Sequence, residues 1–182
     1  MIKFKYSRIL NKKVEDTFVR IIRSSQITEA VKDLCIKANI YLGEDVKQSI
    51  GEYETKEKNE LGKNVLNILI QNYKIAEEKQ MPICQDTGMA VFFVKVGQTV
   101  LIDGQNITDA INEGVRQGYV DGYLRKSVVD PISRVNTKDN TPAIIHYDIV
   151  EGDKIYIEFA PKGFGSENMS KLKMLKPSDG ID

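Results

Sequence analysis

The pattern of apolar and polar positions predicts that helices occupy the first half of the chain. In the first helix the apolar side chains recur at helical spacing and form one stripe, made of Ala30, Val31, Leu34, Cys35 and Ala38. Gly43 ends this helix, and a shorter helix is predicted over 45–55. Asn59 can cap a third helix, in which apolar residues keep the same spacing as far as about residue 79.

Strands dominate the second half. The run 90–96 is almost continuously apolar, which is typical of a strand that is buried on both faces. A fourth helix is predicted over 108–124, with Tyr119 and Tyr123 on its core side. Apolar and polar residues then alternate in 145–149 and 155–159, and the turn-forming residues between them predict a hairpin. Helices followed by strands favour an α+β fold, in which N-terminal helices precede a mixed or antiparallel sheet in a single domain.

Composition narrows the class of protein. The chain has 182 residues, of which 41% are hydrophobic and 29% charged, as is usual for a globular protein. Lys and Arg together equal Asp and Glu at 26 each, which argues against a general nucleic-acid binder. The sequence lacks both the ~18-residue apolar run of a membrane span and a signal peptide. We therefore expect a cytoplasmic protein that binds neither nucleic acid nor membrane. Residues 1–26, which are basic and without clear periodicity, are predicted to be an appendage to a domain over 27–182.

The segment CQDTG at 84–88 carries the strongest chemical signal. It lies in a predicted loop between a helix and a buried strand, and loops on a rigid scaffold are where ligands and catalytic groups collect. The thiolate of Cys84 is of the type that holds iron–sulfur clusters, and Asp86 can take part in proton transfer or orient a bound group. An inert, half-buried thiol beside an Asx turn is the alternative. Cys35 lies in a helical stripe and is interpreted as a buried apolar residue.

Three other features have both a chemical and a structural interpretation. The loop KGFGSEN at 162–168 can present backbone N–H groups to an anion, or it can be an ordinary turn with Ser166 or Asn168 as a helix cap. Arg125 follows a predicted helix, where a cation is favourable in any case, yet arginine also suits two-point binding of a carboxylate. His146 is the one histidine of the chain and is interpreted as structural.

Four motifs in order identify a family resemblance. They are MPICQDTG at 81–88, RKSVVDP at 125–131, NTPA at 140–143 and KGFGSEN at 162–168. Together they resemble the α subunit, or N-terminal catalytic domain, of the class I iron–sulfur fumarate hydratase and L-tartrate dehydratase family. The resemblance extends from about residue 27 to the end of the chain.

The resemblance implies a [4Fe-4S] cluster that three cysteines hold, whose fourth iron acts as a Lewis acid on a dicarboxylate substrate. It implies that Cys84 is one cluster ligand, that Gln85 and the catalytic Asp86 contact substrate, and that Arg125 binds a substrate carboxylate. Gly163 and Gly165 correspond to a loop whose backbone faces the substrate. The proton-abstracting base is expected in a β subunit or a C-terminal domain, so the implied partners are a β subunit and a dicarboxylate, in a homo- or hetero-oligomer.

Two departures from the family pattern lead to alternative hypotheses. Phe164 occupies a position where the family loop has a glycine. Family α subunits also continue further and carry a second cluster cysteine there, which Cys35 does not match. The chain is therefore expected to be a partial α subunit. In one hypothesis it is the N-terminal part of an enzyme that hydrates fumarate to L-malate, or alternatively dehydrates L-tartrate, and that is active only with the missing part and a β subunit. In the other it is a remnant that keeps the fold but binds no cluster and serves as an interaction or ligand-binding domain.

Overall fold

Helices pack on one face of a three-stranded mixed sheet in the computed structural model, which describes residues 19–165 and 169–179. The α+β prediction is confirmed. The elements in chain order are β1 (Arg20–Arg23), α1 (Ser24–Ile40), α2 (Glu44–Lys56), α3 (Glu60–Lys79), β2 (Met89–Gly97), β3 (Val100–Asp103), α4 (Ile107–Asp121), β4 (Ile144–Val150) and β5 (Ile155–Lys162), followed by a short 3-10 helix (Pro177–Asp179). No helix within the described ranges is long and apolar enough to cross a membrane.

The N-terminal boundary of the helical region differs from the sequence-based expectation. Helix α1 begins at Ser24, upstream of residue 27, where the predicted domain begins. Strand β1 precedes the helix and pairs in parallel with β3. Part of the predicted appendage therefore has regular structure, and its first 18 residues lie outside the described residues. The other helices were predicted closely, and Asn59 caps α3 by accepting hydrogen bonds from the N–H groups of Leu61 and Gly62.

The predicted hairpin is wrong, because β4 and β5 do not pair with each other. Strand β2 lies between them, parallel to β4 and antiparallel to β5, so that Phe92 is opposite both Ile145 and Phe159. The β4–β5 connection instead crosses the end of β2. Gly97 permits this crossing, because a Cβ there would lie 2.4 Å from the carbonyl oxygen of Gly152. The most apolar strand thus takes the central position, where both of its edges are paired.

The prediction that β2 is buried on both faces is also wrong. Ala90, Phe92 and Val94 are buried against the helices, whereas Phe93 on the other face is 47% exposed. His146 lies beside Phe93 on this open face, with the two rings stacked at 5.1 Å between centroids. His146 is therefore a surface residue, on the face of the sheet opposite the helices.

Helices α1 and α4 form the layer that covers the sheet, and glycines on α4 set their separation. A Cβ at Gly114 would lie 2.6 Å from the carbonyl oxygen of Thr28, and one at Gly118 would lie 2.8 Å from the Cβ of Cys35. Cys35 is completely buried in the core, as predicted, and burial raises the pKa of its thiol to about 12. The close packing fixes the C-terminal end of α4, which carries Tyr119, beneath the loop that contains Cys84.

Candidate active site

The loop that contains Cys84 connects α3 to β2 and is fixed to the helices at its start. The N–H group of Ile83 donates to the carbonyl oxygen of Asn39 at 2.8 Å, and the side-chain amide of Asn72 donates to the carbonyl oxygen of Ile83 at 2.9 Å. Cys84 itself is exposed, and its Sγ accepts a 3.4 Å hydrogen bond from the N–H group of Asp86. The thiol is thus displayed to solvent and is not the half-buried group of the alternative interpretation.

A buried threonine joins this loop to the segment that carries Arg125. Thr87 is 2% exposed, and its hydroxyl donates to the carbonyl oxygen of Arg125 at 3.0 Å. The carbonyl oxygen of Thr87 in turn accepts from the buried hydroxyl of Tyr119 at 2.9 Å. Burial raises the pKa of the Tyr119 hydroxyl well above its usual value, so the group remains a neutral donor.

Asn140 makes the second connection between the same two segments. It is completely buried, and its Oδ1 accepts from the N–H groups of Ser127 at 2.8 Å and Val128 at 3.1 Å. Its Nδ2 donates to the carbonyl oxygen of Gly88 at 3.1 Å. The backbone of Asn140 has φ of 63°, in a region that asparagine tolerates better than most residues. Asn140, the first residue of the NTPA motif, therefore holds the cysteine and arginine segments together.

The glycine-bearing loop after β5 lies against the cysteine loop. Gly88 has φ of +68°, and a Cβ there would lie 2.6 Å from the carbonyl group of Lys162, so glycine allows the close approach. A Cβ on Gly163 would lie 2.9 Å from Oδ2 of Asp86, whereas Gly165 faces open space. Ser166 and Asn168, the alternative helix caps, lie outside the described residues.

Phe164, which departs from the family pattern, faces the arginine segment rather than the cysteine. It lines a small cavity of about 160 Å³ with Met89, Ser127, Val128 and Val129. The ammonium group of Lys162 lies 5.4 Å from the centre of its ring, a cation–π contact. The phenylalanine therefore extends the contact between the glycine-bearing loop and the segment after Arg125.

An open cavity of about 300 Å³ brings three of the predicted residues together. Cys84, Gln85 and Arg125 line it, along with Met81, Pro82, Thr87 and Tyr123. Asp86 does not line this cavity, because its Oδ1 accepts from the N–H group of Gly88 at 3.1 Å and its other oxygen faces Gly163. Tyr123 was predicted to be a core residue, and this prediction is wrong. Helix α4 ends at Asp121, and Tyr123, with φ of 53°, is 91% exposed.

Cys84 fits the role of a single cluster ligand and no more. It is an accessible thiol with a backbone N–H group on its sulfur, a contact that also modulates iron–sulfur clusters. Cys35 cannot join it, because it is buried in the helical layer. In residues 19–165 and 169–179, no three His, Cys, Asp or Glu side chains are grouped so that they could hold a metal ion. Further ligands would have to come from outside these residues.

Comparison with known proteins shows the family. The sequence model described as Fumarate hydratase (Fumerase) matches residues 28–182. The chain belongs to this family. Among curated relatives, a putative L(+)-tartrate dehydratase subunit alpha from Methanocaldococcus jannaschii is 45% identical over 163 residues, which are 86% of this chain and 57% of that protein.

More distant relatives carry a similar name. L(+)-tartrate dehydratase subunit alpha proteins from Escherichia coli and Shigella sonnei are 29% and 28% identical over 162 residues, or 87% of this chain and 53% of each relative. The chain thus spans about half the length of the curated relatives it matches. The family resemblance drawn from the four motifs is confirmed, and the relatives' names do not decide between fumarate and tartrate as substrate.

Proposed function

We propose that this chain forms the α-subunit portion of an iron–sulfur hydro-lyase that interconverts fumarate and L-malate. The observation that carries the proposal is the cavity in which Cys84, Gln85 and Arg125 meet. Membership of the Fumarate hydratase (Fumerase) family supports the same chemistry. Residues 27–182 would supply this part of the catalytic domain, and a β subunit would complete the site.

Cys84 would hold one iron of a [4Fe-4S] cluster at the cavity. When bound, the cluster supplies a Lewis-acidic iron for the hydroxyl and one carboxylate of the substrate. The hydrogen bond from the Asp86 N–H group would orient the sulfur of Cys84 at the cavity. Because no second accessible cysteine lies among the described residues, the remaining ligands would come from the rest of the enzyme.

Arg125 would bind the substrate's other carboxylate through two parallel hydrogen bonds. Its side chain is exposed at the cavity, while its carbonyl oxygen is held by the buried Thr87. Gln85 would contribute an amide to the same substrate. Asp86 would position the Gly163–Gly165 loop, because its carboxylate lies against Gly163. For Asp86 to act on substrate directly, its carboxylate would have to turn from Gly88 towards the cavity.

L-Tartrate is the second candidate substrate. The relatives from Methanocaldococcus jannaschii and Escherichia coli are named as tartrate dehydratase α subunits. Tartrate differs from malate by one hydroxyl group, so the same carboxylate-binding groups of this chain would serve either substrate. The groups that distinguish them would then lie at the part of the site that the β subunit completes.

The test is the activity of the enzyme that is assembled anaerobically with its β subunit and missing α-subunit portion. We expect it to interconvert fumarate and malate, and a preference for tartrate would select the second candidate. Arg125→Lys should lower kcat/KM by about one to two decades, since lysine keeps the charge but loses the two-point contact, which contributes about 1.5–3 kcal/mol. Arg116→Lys, at a surface arginine paired with Glu113 and Asp139, is the matched control. An assembled enzyme without hydro-lyase activity would favour the remnant hypothesis.

A further inference from the structure

The backbone around Arg125 depends on side chains from other parts of the fold. Residues 124–128 have no regular secondary structure, so no helix or sheet ladder directs their peptide groups. The carbonyl oxygen of Lys126 accepts a hydrogen bond from the side-chain amide of Asn136 at 2.8 Å. The carbonyl oxygen of Arg125 accepts one from the hydroxyl of Thr87 at 3.0 Å. These contacts therefore set the direction of each peptide group in the segment.

The bond from Thr87 differs from the neighbouring ones because it reaches the peptide group of the arginine itself. Asn140, by comparison, binds the N–H groups of Ser127 and Val128, which come later in the segment. The carbonyl group and the side chain of Arg125 branch from the same Cα atom. A rotation that breaks the Thr87 bond therefore also changes the direction of the guanidinium relative to the residues that follow. The threonine hydroxyl thus orients the arginine at its own backbone.

Thr87 is itself firmly fixed. It is 2% exposed, and its carbonyl oxygen accepts from the buried hydroxyl of Tyr119 at 2.9 Å. A β-branched side chain has few rotamers, so the position of its hydroxyl follows from that of its backbone. The hydroxyl has one hydrogen, which the bond to Arg125 uses. Although Thr87 lines the cavity, its hydroxyl therefore has no proton to donate to a substrate.

We infer that Thr87 is a positioning residue that fixes the spacing between Cys84 and Arg125 for the substrate. The inference rests on the proposed function, in which one end of a dicarboxylate lies at the cluster and the other end at the arginine. The spacing of these two groups then has to match the length of the substrate. One hydrogen bond, between residues 38 positions apart, connects the cysteine loop to the arginine peptide. A site that binds two ends of one molecule loses affinity when either binding group is free to move.

Thr87→Val tests the inference, because valine keeps the shape of the side chain and removes the hydroxyl. In the enzyme assembled anaerobically with the β subunit and the missing α-subunit portion, kcat/KM for malate, or for tartrate if that is preferred, should fall about 10-fold. A higher KM should account for most of this fall, since the carboxylate contact is the same before and during the reaction. Thr87→Ser keeps the hydroxyl and should stay within about threefold of the natural sequence. Thr28→Val is the matched control, because the Thr28 hydroxyl donates to the carbonyl oxygen of Ala110 at 3.0 Å between α1 and α4, and it should leave KM unchanged.

A double variant distinguishes positioning of the arginine from a general effect on the enzyme. Arg125→Lys has already lost the two-point contact, so adding Thr87→Val to it should lower kcat/KM by less than about threefold more. A further 10-fold loss, by about the full effect of the single variant, would overturn the inference, because Thr87 would then act independently of Arg125. Unchanged kinetics in Thr87→Val, or an equal loss in Thr87→Ser, would also overturn it.

Hydrogen exchange of the 182-residue chain tests the same bond without a substrate. The N–H groups of Leu124 and Ser127, on either side of Arg125, are both hydrogen-bonded. Thr87→Val should speed exchange at both by about 10-fold relative to amides in the middle of α4, whereas Thr28→Val should not. Unchanged exchange, or equal acceleration in α4, would overturn the inference. An assembled natural enzyme without hydro-lyase activity would contradict the proposed function, and exchange would still decide whether Thr87 fixes the arginine segment.

Discussion

Replacing Asn140 by alanine should release the connection between the cysteine loop and the arginine segment. The side chain is completely buried and makes three hydrogen bonds, two as an acceptor and one as a donor. Alanine removes all three and leaves a cavity that its methyl group cannot fill. The affected backbone groups belong to Ser127, Val128 and Gly88, which are distant from each other in sequence but adjacent in the site.

The expected cost follows from what remains paired. The carbonyl oxygen of Gly88 still accepts a hydrogen bond from the Tyr119 hydroxyl at 3.3 Å, so the loss of the Asn140 amide costs little free energy at this group. The buried N–H group of Val128 loses its partner, which costs about 2 kcal/mol, and the partly buried N–H group of Ser127 costs about 1 kcal/mol. Alanine at a φ of 63° adds about 1 kcal/mol. Asn140→Ala should therefore lower the free energy of unfolding by about 3–4 kcal/mol.

Urea unfolding followed by circular dichroism measures this change. The denaturation midpoint should fall while the slope with urea stays the same, which indicates lost stability rather than a different unfolded state. Asn67→Ala, at an exposed asparagine in α3, is the control and should change the free energy of unfolding by less than about 0.5 kcal/mol. A loss below about 1 kcal/mol for Asn140→Ala would refute the reasoning, since water would then satisfy the exposed groups.

Two further predictions concern the helical layer. Gly118→Ala should destabilise the chain by about 1–2 kcal/mol, because the new methyl group would lie 2.8 Å from the Cβ of Cys35. Gly51→Ala, which would meet nothing within 4 Å, is the control and should be neutral or stabilising. Thermal unfolding compares the two variants, and equal shifts in Tm would contradict the packing account. In the folded chain burial raises the pKa of the Cys35 thiol to about 12, whereas in the unfolded chain the thiol loses its proton near pH 9.0. The contribution of Cys35 to the free energy of unfolding is therefore complete below about pH 9 and falls by about 1.4 kcal/mol per pH unit between these two values. Urea unfolding at pH 8 to 11 measures how the free energy of unfolding falls as the pH rises, and Cys35→Ala should remove the part of this fall that is due to Cys35, whereas Cys84→Ala should not. The same dependence on pH in the natural sequence and both variants would contradict burial of the Cys35 thiol.

The helices could be predicted from the sequence because their signals are local. The stripe of α1 and the cap at Asn59 lie within a few residues of the structure that they determine. Strand order could not be predicted, since 145–149 and 155–159 show the same alternation in a hairpin as on either side of β2. The open face of the sheet was missed for a related reason, because Phe93 is as apolar as the buried Phe92.

The site shows the same division between local and long-range information. The motifs around Cys84 and Arg125 predicted them as site residues, and both side chains line one cavity. Tyr119 and Asn140, which position those segments, were missed as site residues because their hydrogen bonds span 32 and 52 positions of sequence. Tyr119 was expected only in the core, as its burial confirms, and nothing in the sequence indicated that its hydroxyl reaches Thr87. The NTPA motif at 140–143 drew attention to Asn140 in the sequence, but nothing there indicated that its side chain is buried and joins two segments.

Iron and sulfide content of the assembled enzyme tests the role of Cys84 most directly. After anaerobic reconstitution with the β subunit and the missing α-subunit portion, the natural sequence should hold four irons per site with the visible absorption of a [4Fe-4S] cluster. Cys84→Ser should lose the cluster and the hydro-lyase activity while the assembly stays folded, and Cys35→Ala should retain both. The 182-residue chain alone should hold no stable cluster. A Cys84→Ser enzyme with a full cluster and full activity would contradict the account.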